Sequence, residues 1–488
     1  MTAARTRGWP LSPATVRAVL SGHGILGLAF AAVIYLVCLT GTLAVFVHDL
    51  ERWEQPGQPR AAVIAAPALD RAVATARRLA PPDAGLYIGL PSGAEPGATL
   101  VAYSPAFERE WGIASDGALA AKATPFADFL LDLHIALHLP RRWGAFIVGL
   151  AGVALLSSLV SGLLAHPRMF KDAFHLRLGG ARRLQEADLH NRLGIWALPF
   201  HVVIALTGAL LGLSTLIVGV LAMLLYRGDT TRVYGLFIDA PPAVDRAAAP
   251  LPPLATLLAE AQRRAPGATP HQIIVERAGR SDARVTIVSV RDRLLVPQDT
   301  TVFDARGAVV KDQHPRDLVV GTRILGGIGQ LHFGWYGGVA VRVLYGLLGL
   351  ALCVVTSSGV TIWLARRRDK GRADPRWERL WAAVAWGQPL ALLLAAATAV
   401  AGAGRTAVAV WLVTTVLLLV GAGAARPPAS RLAAGLRATS GGAGVVLAMI
   451  HLTRVPWTST GTIVDALLLS GGAWLLWRHR RGAVAGRA

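Results

Sequence analysis

Charge is scarce in this sequence. Only 16% of its 488 residues are Asp, Glu, Lys or Arg, while 53% are hydrophobic; an ordinary soluble domain carries about a quarter charged residues. The deficit lies in apolar runs long enough for the roughly 20 residues that a bilayer-crossing helix needs. A soluble class is excluded. Cysteine is scarcer still: Cys38 and Cys353 are the only two, both inside apolar runs. They supply neither a CxxC metal site nor a disulfide framework and read as small packing residues. Acidic residues are outnumbered, 29 against 49 Lys and Arg, for a net charge of +20. That excess sits beside the apolar runs, at Arg141-Arg142, Arg182-Arg183, Arg366-Arg367-Arg368 and Arg478 with Arg480-Arg481. Such placement sets topology in a membrane and argues against a nucleic-acid partner.

What is present is a series of eight apolar runs. Four extend from about Gly24 to Val47, Trp143 to Ala165, Leu193 to Tyr226 and Val339 to Leu364. Four more cover about Leu380 to Ala401, Ala407 to Ala424, Gly441 to Leu452 (short and rich in glycine) and Ile463 to Trp477. The first lacks a cleavage site and reads as a retained helix. With the amino terminus inside, basic segments 166–192, 365–379, 425–437 and 478–487 all fall on the cytoplasmic side, as do both termini. Two polar segments, 49–133 and 228–331, then lie outside.

These outer segments resemble each other. "ARRLAPPDAGLYIGLPSG" at 76–93 echoes "AQRRAPGATPHQIIVERAG" at 261–279, and "WGIASDGALA" and "VFDARGAVV" each read as strand, tight turn and strand. Each segment is therefore a small α+β module. The duplication extends into the spans. His23 with Leu26-Gly27 and Thr40-Gly41 is matched by His190 with Leu193-Gly194 and Thr207-Gly208; Ser161-Gly162 is matched by Ser358-Gly359, and His134 by His332. Span–module–span thus occurs twice, which implies a pseudo-two-fold axis along the membrane normal. The fold class is a mainly α polytopic membrane protein of about eight transmembrane helices, the first four duplicated, with two outer α+β modules. Its divisions are a cytoplasmic segment 1–22, helix 23–48, module 49–133, two helices in 134–227, module 228–331, helix 332–364, a basic loop 365–379 and a four-helix extension 380–488.

Thirteen histidines are present, and His23, His48, His134, His138, His166, His190, His201 and His332 flank or enter the first four spans. Ionisable groups at membrane depth are costly and mark function. The repeat pairs His23 with His190 near the cytoplasmic face and His134 with His332 near the outer face, an arrangement that suits two bis-histidine haems. At about 100° per residue His190 and His201 share a face of one helix. His23 and His48 do so if their helix is continuous, and His134 and His138 if theirs is helical. Zinc is disfavoured, because the histidines are split between two depths without cysteine. His134-x-x-x-His138 lacks the metalloprotease glutamate. No nicotinamide or flavin fingerprint occurs, since the glycine-rich stretches lie inside apolar helices.

At these residues the chain resembles the PepSY-associated transmembrane family. The strings are "GILGLAFAAVIYLVCLTGTLAVF" with "ERWEQP", "LHIALHLPRRWGAFIVGLAG", "DLHNRLGIWALPFHVVIALTG" and "QLHFGWYGG" with "VRVLYGLLGL", and the resemblance covers about residues 15–370. It implies that the outer modules are PepSY domains and that the protein is similar to inner-membrane reductases that release iron from ferric siderophores. In those, haem b is held between the four helices. By resemblance His23, His134, His190 and His332 fall on the family's histidine motifs, while His138, His166 and His201 match a subset. The expectation is a haem-containing electron conduit in a bacterial inner membrane, contacting lipid and fed by an external quinol or reductase. The rival is a non-enzymatic PepSY regulator, peptidase inhibitor or assembly factor. A transporter is disfavoured because the spans lack buried acidic residues. The extension 371–488 lies outside the family's four-helix pattern.

Overall fold

The structure is a computed structural model that describes residues 12–92, 97–165, 182–236, 242–291, 294–296, 298–454 and 458–485. Its helices are α1 (Pro13–Ala44), α2 (Val47–Glu54), α3 (Ala66–Leu79), α4 (Pro125–Ala136), α5 (Arg141–Ala165), α6 (Arg182–Trp196), α7 (Leu198–Gly212), α8 (Ser214–Tyr226) and α9 (Thr230–Tyr234). They continue as α10 (Leu254–Arg264), α11 (Val320–Phe333), α12 (Gly338–Asp369), α13 (Pro375–Val400), α14 (Ala407–Ala424), α15 (Ala429–Arg454) and α16 (Ser459–Ala485). The chain divides into two compact units. One holds Met1–Leu50, Pro125–Leu216 and Arg342–Ala488; the other holds Glu51–Thr124 and Ile217–Val341.

The first unit is helical. Among the described residues seven helices are long and apolar enough to cross a membrane, or eight if the bent pair α6–α7 counts as one span. Ser12 caps α1, its side chain accepting from the Thr15 amide at 3.1 Å, with Pro13 preset for the first turn. The third span departs from the continuous helix expected over 193–226: it bends by 72° between Trp196 and Leu198. Pro199 explains the break, because its nitrogen has no hydrogen to donate and its ring clashes with the carbonyl four residues back. The seventh run is also longer than its apolar stretch. α15 begins at Ala429, inside the expected basic loop 425–437, where an Ala-rich, Pro-free sequence continues the helix.

Small residues set the packing in this unit. An added Cβ at Gly152 would lie 3.0 Å from the Ala209 amide nitrogen, so α5 and α7 meet backbone to backbone. Gly441 and Gly472 do the same for α15 and α16. On the other flank, Ala31 and Tyr35 of α1 pack with Cys353, Val360 and Leu364 of α12 and with Trp381 and Ala385 of α13. The Tyr35 hydroxyl donates to the Ala385 carbonyl at 2.7 Å, joining the extension to the first span. Both cysteines lie in this apolar contact.

The second unit is built on one antiparallel sheet of eight strands. In chain order these are β1 (Gly85–Gly89), β2 (Ala98–Ser104), β3 (Phe107–Ile113), β4 (Leu119–Ala121), β5 (Thr269–Glu276), β6 (Arg284–Val290), β7 (Gln298–Asp304) and β8 (Val309–Gln313). Their spatial order is β4-β3-β2-β1-β5-β6-β7-β8. The two modules therefore join edge to edge, with Leu86 opposite Val275 and Ile88 opposite Ile273. Alternation along the strands turns Leu86, Ile88, Leu100, Ile273 and Ile287 into a core shared with Leu69 and Val73 of α3 and Leu257 of α10. The matched turns are present: Asp116 and Asp304 accept from the amides of Ala118 and Ala308, and Gly117 and Gly307 take positive φ. α4, most of which falls in the expected module 49–133, belongs with the spans, while α11 lies with the sheet, as the expected module 228–331 has it for all but its last two residues.

Candidate functional site

Three of the expected histidines are held in one repeated way. His23 of α1 meets α5: its Nδ1 lies 3.0 Å from the Ser158 carbonyl and 3.2 Å from Ser161 Oγ. His190 of α6 meets α12, with Nδ1 2.9 Å from the Val355 carbonyl and 3.1 Å from Ser358 Oγ. His134 of α4 meets α1, with Nδ1 3.0 Å from the Val37 carbonyl and 3.3 Å from Thr40 Oγ1. In each case the receiving helix offers a carbonyl, a hydroxyl three residues on and a glycine after that. An added Cβ at Gly162, Gly359 or Gly41 would lie 3.4, 3.3 or 2.6 Å from the Cε1 of its histidine. Glycine is required at Gly41, gives room of a few tenths of an ångström at Gly359, and at Gly162 leaves only ordinary contact for a methyl group.

This arrangement fixes the tautomer. A carbonyl only accepts, so the ring nitrogen it meets is the one bearing hydrogen. The hydroxyls cannot be the donors either, because each already donates along its own helix. Ser161 donates to the Ser157 carbonyl at 2.7 Å, Ser358 to Val355 at 3.0 Å and Thr40 to Leu36 at 2.9 Å. Nδ1 therefore carries the proton and Nε2 the lone pair, the form in which imidazole ligates a metal. A neutral ring also avoids placing charge among apolar helices.

His201 and His138 are held differently. His201 of α7 is fully buried, and among the described residues neither ring nitrogen has a hydrogen-bond partner; it faces the Leu348 carbonyl without reaching hydrogen-bonding geometry. Phe200 beside it packs edge-on against Tyr345 of α12, with centroids 5.0 Å apart. His138 stacks on Phe129 at 4.8 Å and lies 6.2 Å from the Trp411 ring of α14. Its Nε2 is buried and unpartnered. Buried polar atoms without partners are rare and point to an unaccounted ligand or water.

Several expected relations do not hold. His190 and His201 share no helical face, because the Pro199 break separates α6 from α7. His23 and His48 are divided by the turn at Val45-Phe46. α4 ends at Ala136, and Leu137 and His138 take positive φ of 53° and 54°, so His134 and His138 are not one turn apart on a helix. His332 lies near the end of α11, its ring 5.8 Å from that of Phe333, and α11 is part of the sheet unit. His166 falls outside the described residues.

Among the described residues the spans contain one buried carboxylate, contrary to expectation. Asp465 of α16 is 2% exposed and pairs with His451 Nδ1 of α15 at 2.8 Å. Its signal was plain, a lone acidic residue inside the run 463–477. Among the described residues no group of three or more His, Cys, Asp or Glu is placed to hold a metal ion.

Residues 20–366 match the family described as the PepSY-associated TM region. An uncharacterized protein of Pseudomonas aeruginosa is 30% identical over 390 residues, covering 74% of this chain and 96% of that protein.

Proposed function

Because this chain belongs to the PepSY-associated TM region family, we propose that it holds haem among its histidine-bearing helices and passes electrons to a periplasmic acceptor, a ferric siderophore. The observation that carries this reading is the repeated histidine seat. Three imidazoles from two halves of a duplicated sequence are each held through a protonated Nδ1, which leaves the lone pair on Nε2. The donor set fits haem b: neutral imidazoles with fixed tautomers, glycines against their rings, and the buried Nε2 of His138 and both nitrogens of His201 as further donors. His23, His190, His134 and His332 would supply axial ligands, with His201, His138, His48 and His166 as alternates. When bound, haem supplies one-electron chemistry at iron, and its potential follows axial ligands, hydrogen bonds and burial.

The residues of the chain orient the rings, exclude water and keep them neutral. Basic segments flanking the spans favour cytoplasmic termini in a bacterial inner membrane, and the donor is then a membrane quinol or a reductase. The test is a reduced-minus-oxidised spectrum of protein purified from haem-replete cells. A low-spin b-type signal is expected, diminished by His190→Ala. A colourless preparation overturns the reading and leaves a membrane-anchored PepSY regulator. Haem without reduction of any ferric chelate removes the acceptor assignment alone.

A further inference from the structure

We infer that the hydroxyls of the three seats, Ser161 for His23, Ser358 for His190 and Thr40 for His134, are positioning residues that lower the reduction potential of the iron each histidine ligates. This rests on the haem reading above.

Serine and threonine bonding back to their own helix is commonplace. What is particular here is that the same hydroxyl oxygen also meets an imidazole from another helix. Glycine follows it, and the carbonyl three residues earlier meets that same nitrogen. The hydroxyl proton is spent along its own helix, so its oxygen acts on the ring only as an acceptor. Two acceptors on one Nδ1–H draw that hydrogen away from the ring and raise electron density at Nε2. A more basic ligand favours ferric over ferrous iron. Removing the hydroxyl leaves the carbonyl, at 2.9–3.0 Å the closer acceptor, so the histidine stays in place while its basicity falls.

The three seats should differ. In every seat the hydroxyl also lies 3.0–3.2 Å from the carbonyl that meets the ring, but the Ser161 and Ser358 contacts with the imidazole are 3.2 and 3.1 Å, whereas the Thr40 contact is 3.3 Å. Its effect is the weakest. Gly41 is the strictest of the glycines, so Gly41→Ala displaces its histidine, while Gly359→Ala shifts its histidine by a few tenths of an ångström and Gly162→Ala leaves its histidine in place.

The experiment is a redox titration of the visible haem bands in full-length protein carrying Ser161→Ala, Ser358→Ala, Ser161→Thr or Thr40→Val. Ser161→Ala and Ser358→Ala should keep parental haem content and raise the midpoint of one component. At fixed ambient potential the ferrous-to-ferric ratio rises about threefold, ~30 mV at 59 mV per tenfold for one electron. Ser161→Thr, which keeps the hydroxyl, should return the parental value, and Thr40→Val should move its component least. Unchanged midpoints in both alanine variants at full haem content would overturn the inference and leave the haem reading standing. A parent protein that binds no haem overturns that reading instead. Should Ser161→Ala lose haem outright, Ser358→Ala carries the same test from the other half of the repeat.

Discussion

His201 is the side chain whose surroundings account for it least. A fully buried imidazole with both nitrogens unpartnered costs about 1–3 kcal/mol relative to a satisfied one. That cost gives His201→Leu a distinctive pattern. In haem-free protein, thermal unfolding of the variant should shift upward, because an unsatisfied group is replaced by an apolar one of similar volume. In haem-loaded protein the same variant should lose stability or cofactor. A variant less stable in both states would mark His201 as a packing residue. At this scale the sequence was informative about which residues matter and silent about what they touch. The histidines stood out by repeat symmetry, and the Thr-Gly and Ser-Gly pairs by their offsets. That these are the two sides of one contact depends on how each helix is rotated about its axis, which no single segment encodes. Asp465 is legible as a lone acidic residue in an apolar run, whereas its partner His451, fourteen residues back, is marked by no periodicity.

Individual helices and strands show where local rules sufficed. Apolar length placed the spans, and the Asp-Gly turns placed two hairpins. Pro199 sat in view within an apolar run, but hydropathy averages over it, so α6 and α7 read as one helix. In the sheet, β6, β7 and β8 are tied by a polar knot that no pattern of alternation announces. Asp299 accepts from Arg291 at 2.6 and 3.0 Å and from His314 Nδ1 at 2.5 Å, with its carboxylate almost wholly buried. Burial alone would raise its pKa, but Arg291 and then His314 outweigh burial and hold it below the usual carboxylate value. A depressed folded pKa contributes stability above the unfolded value of about 3.9. That contribution is lost as pH falls through the folded pKa. Asp299→Asn should therefore cost about 1–3 kcal/mol near neutrality and flatten the decline in unfolding temperature below pH 4. A variant whose acid limb matches the parent's would show that other carboxylates govern it.

Over the whole molecule the duplication was readable, because two halves repeat the same ordered residues. The union of the two modules was not. It depends on β1 choosing β5 as its neighbour across more than 180 residues, and such choices leave no local trace. The union predicts cooperative behaviour. Ile88 pairs with Leu100 on one side and Ile273 on the other, so Ile88→Pro removes a ladder bond from the middle of the sheet, at a cost of about 3 kcal/mol or more. Denaturant-dependent proteolysis should then open the Ala114–Ala118 turn and the Asp304–Ala308 turn together. Opening of the first turn alone would mean that the modules are independent.

The β1–β5 seam also bears on biogenesis. Translation completes the first four strands long before the second four exist, and α5, α6 and α7 are made in between. Until β5 arrives, β1 offers a hydrophobic edge of unpaired amides and carbonyls, the kind of surface that recruits strands from other chains. The nascent protein thus passes through an interval of adhesiveness that ends only when its second half is delivered. A chain stalled or truncated within 125–268 keeps that edge open, which makes it a candidate for chaperone capture or for pairing with another half-made copy.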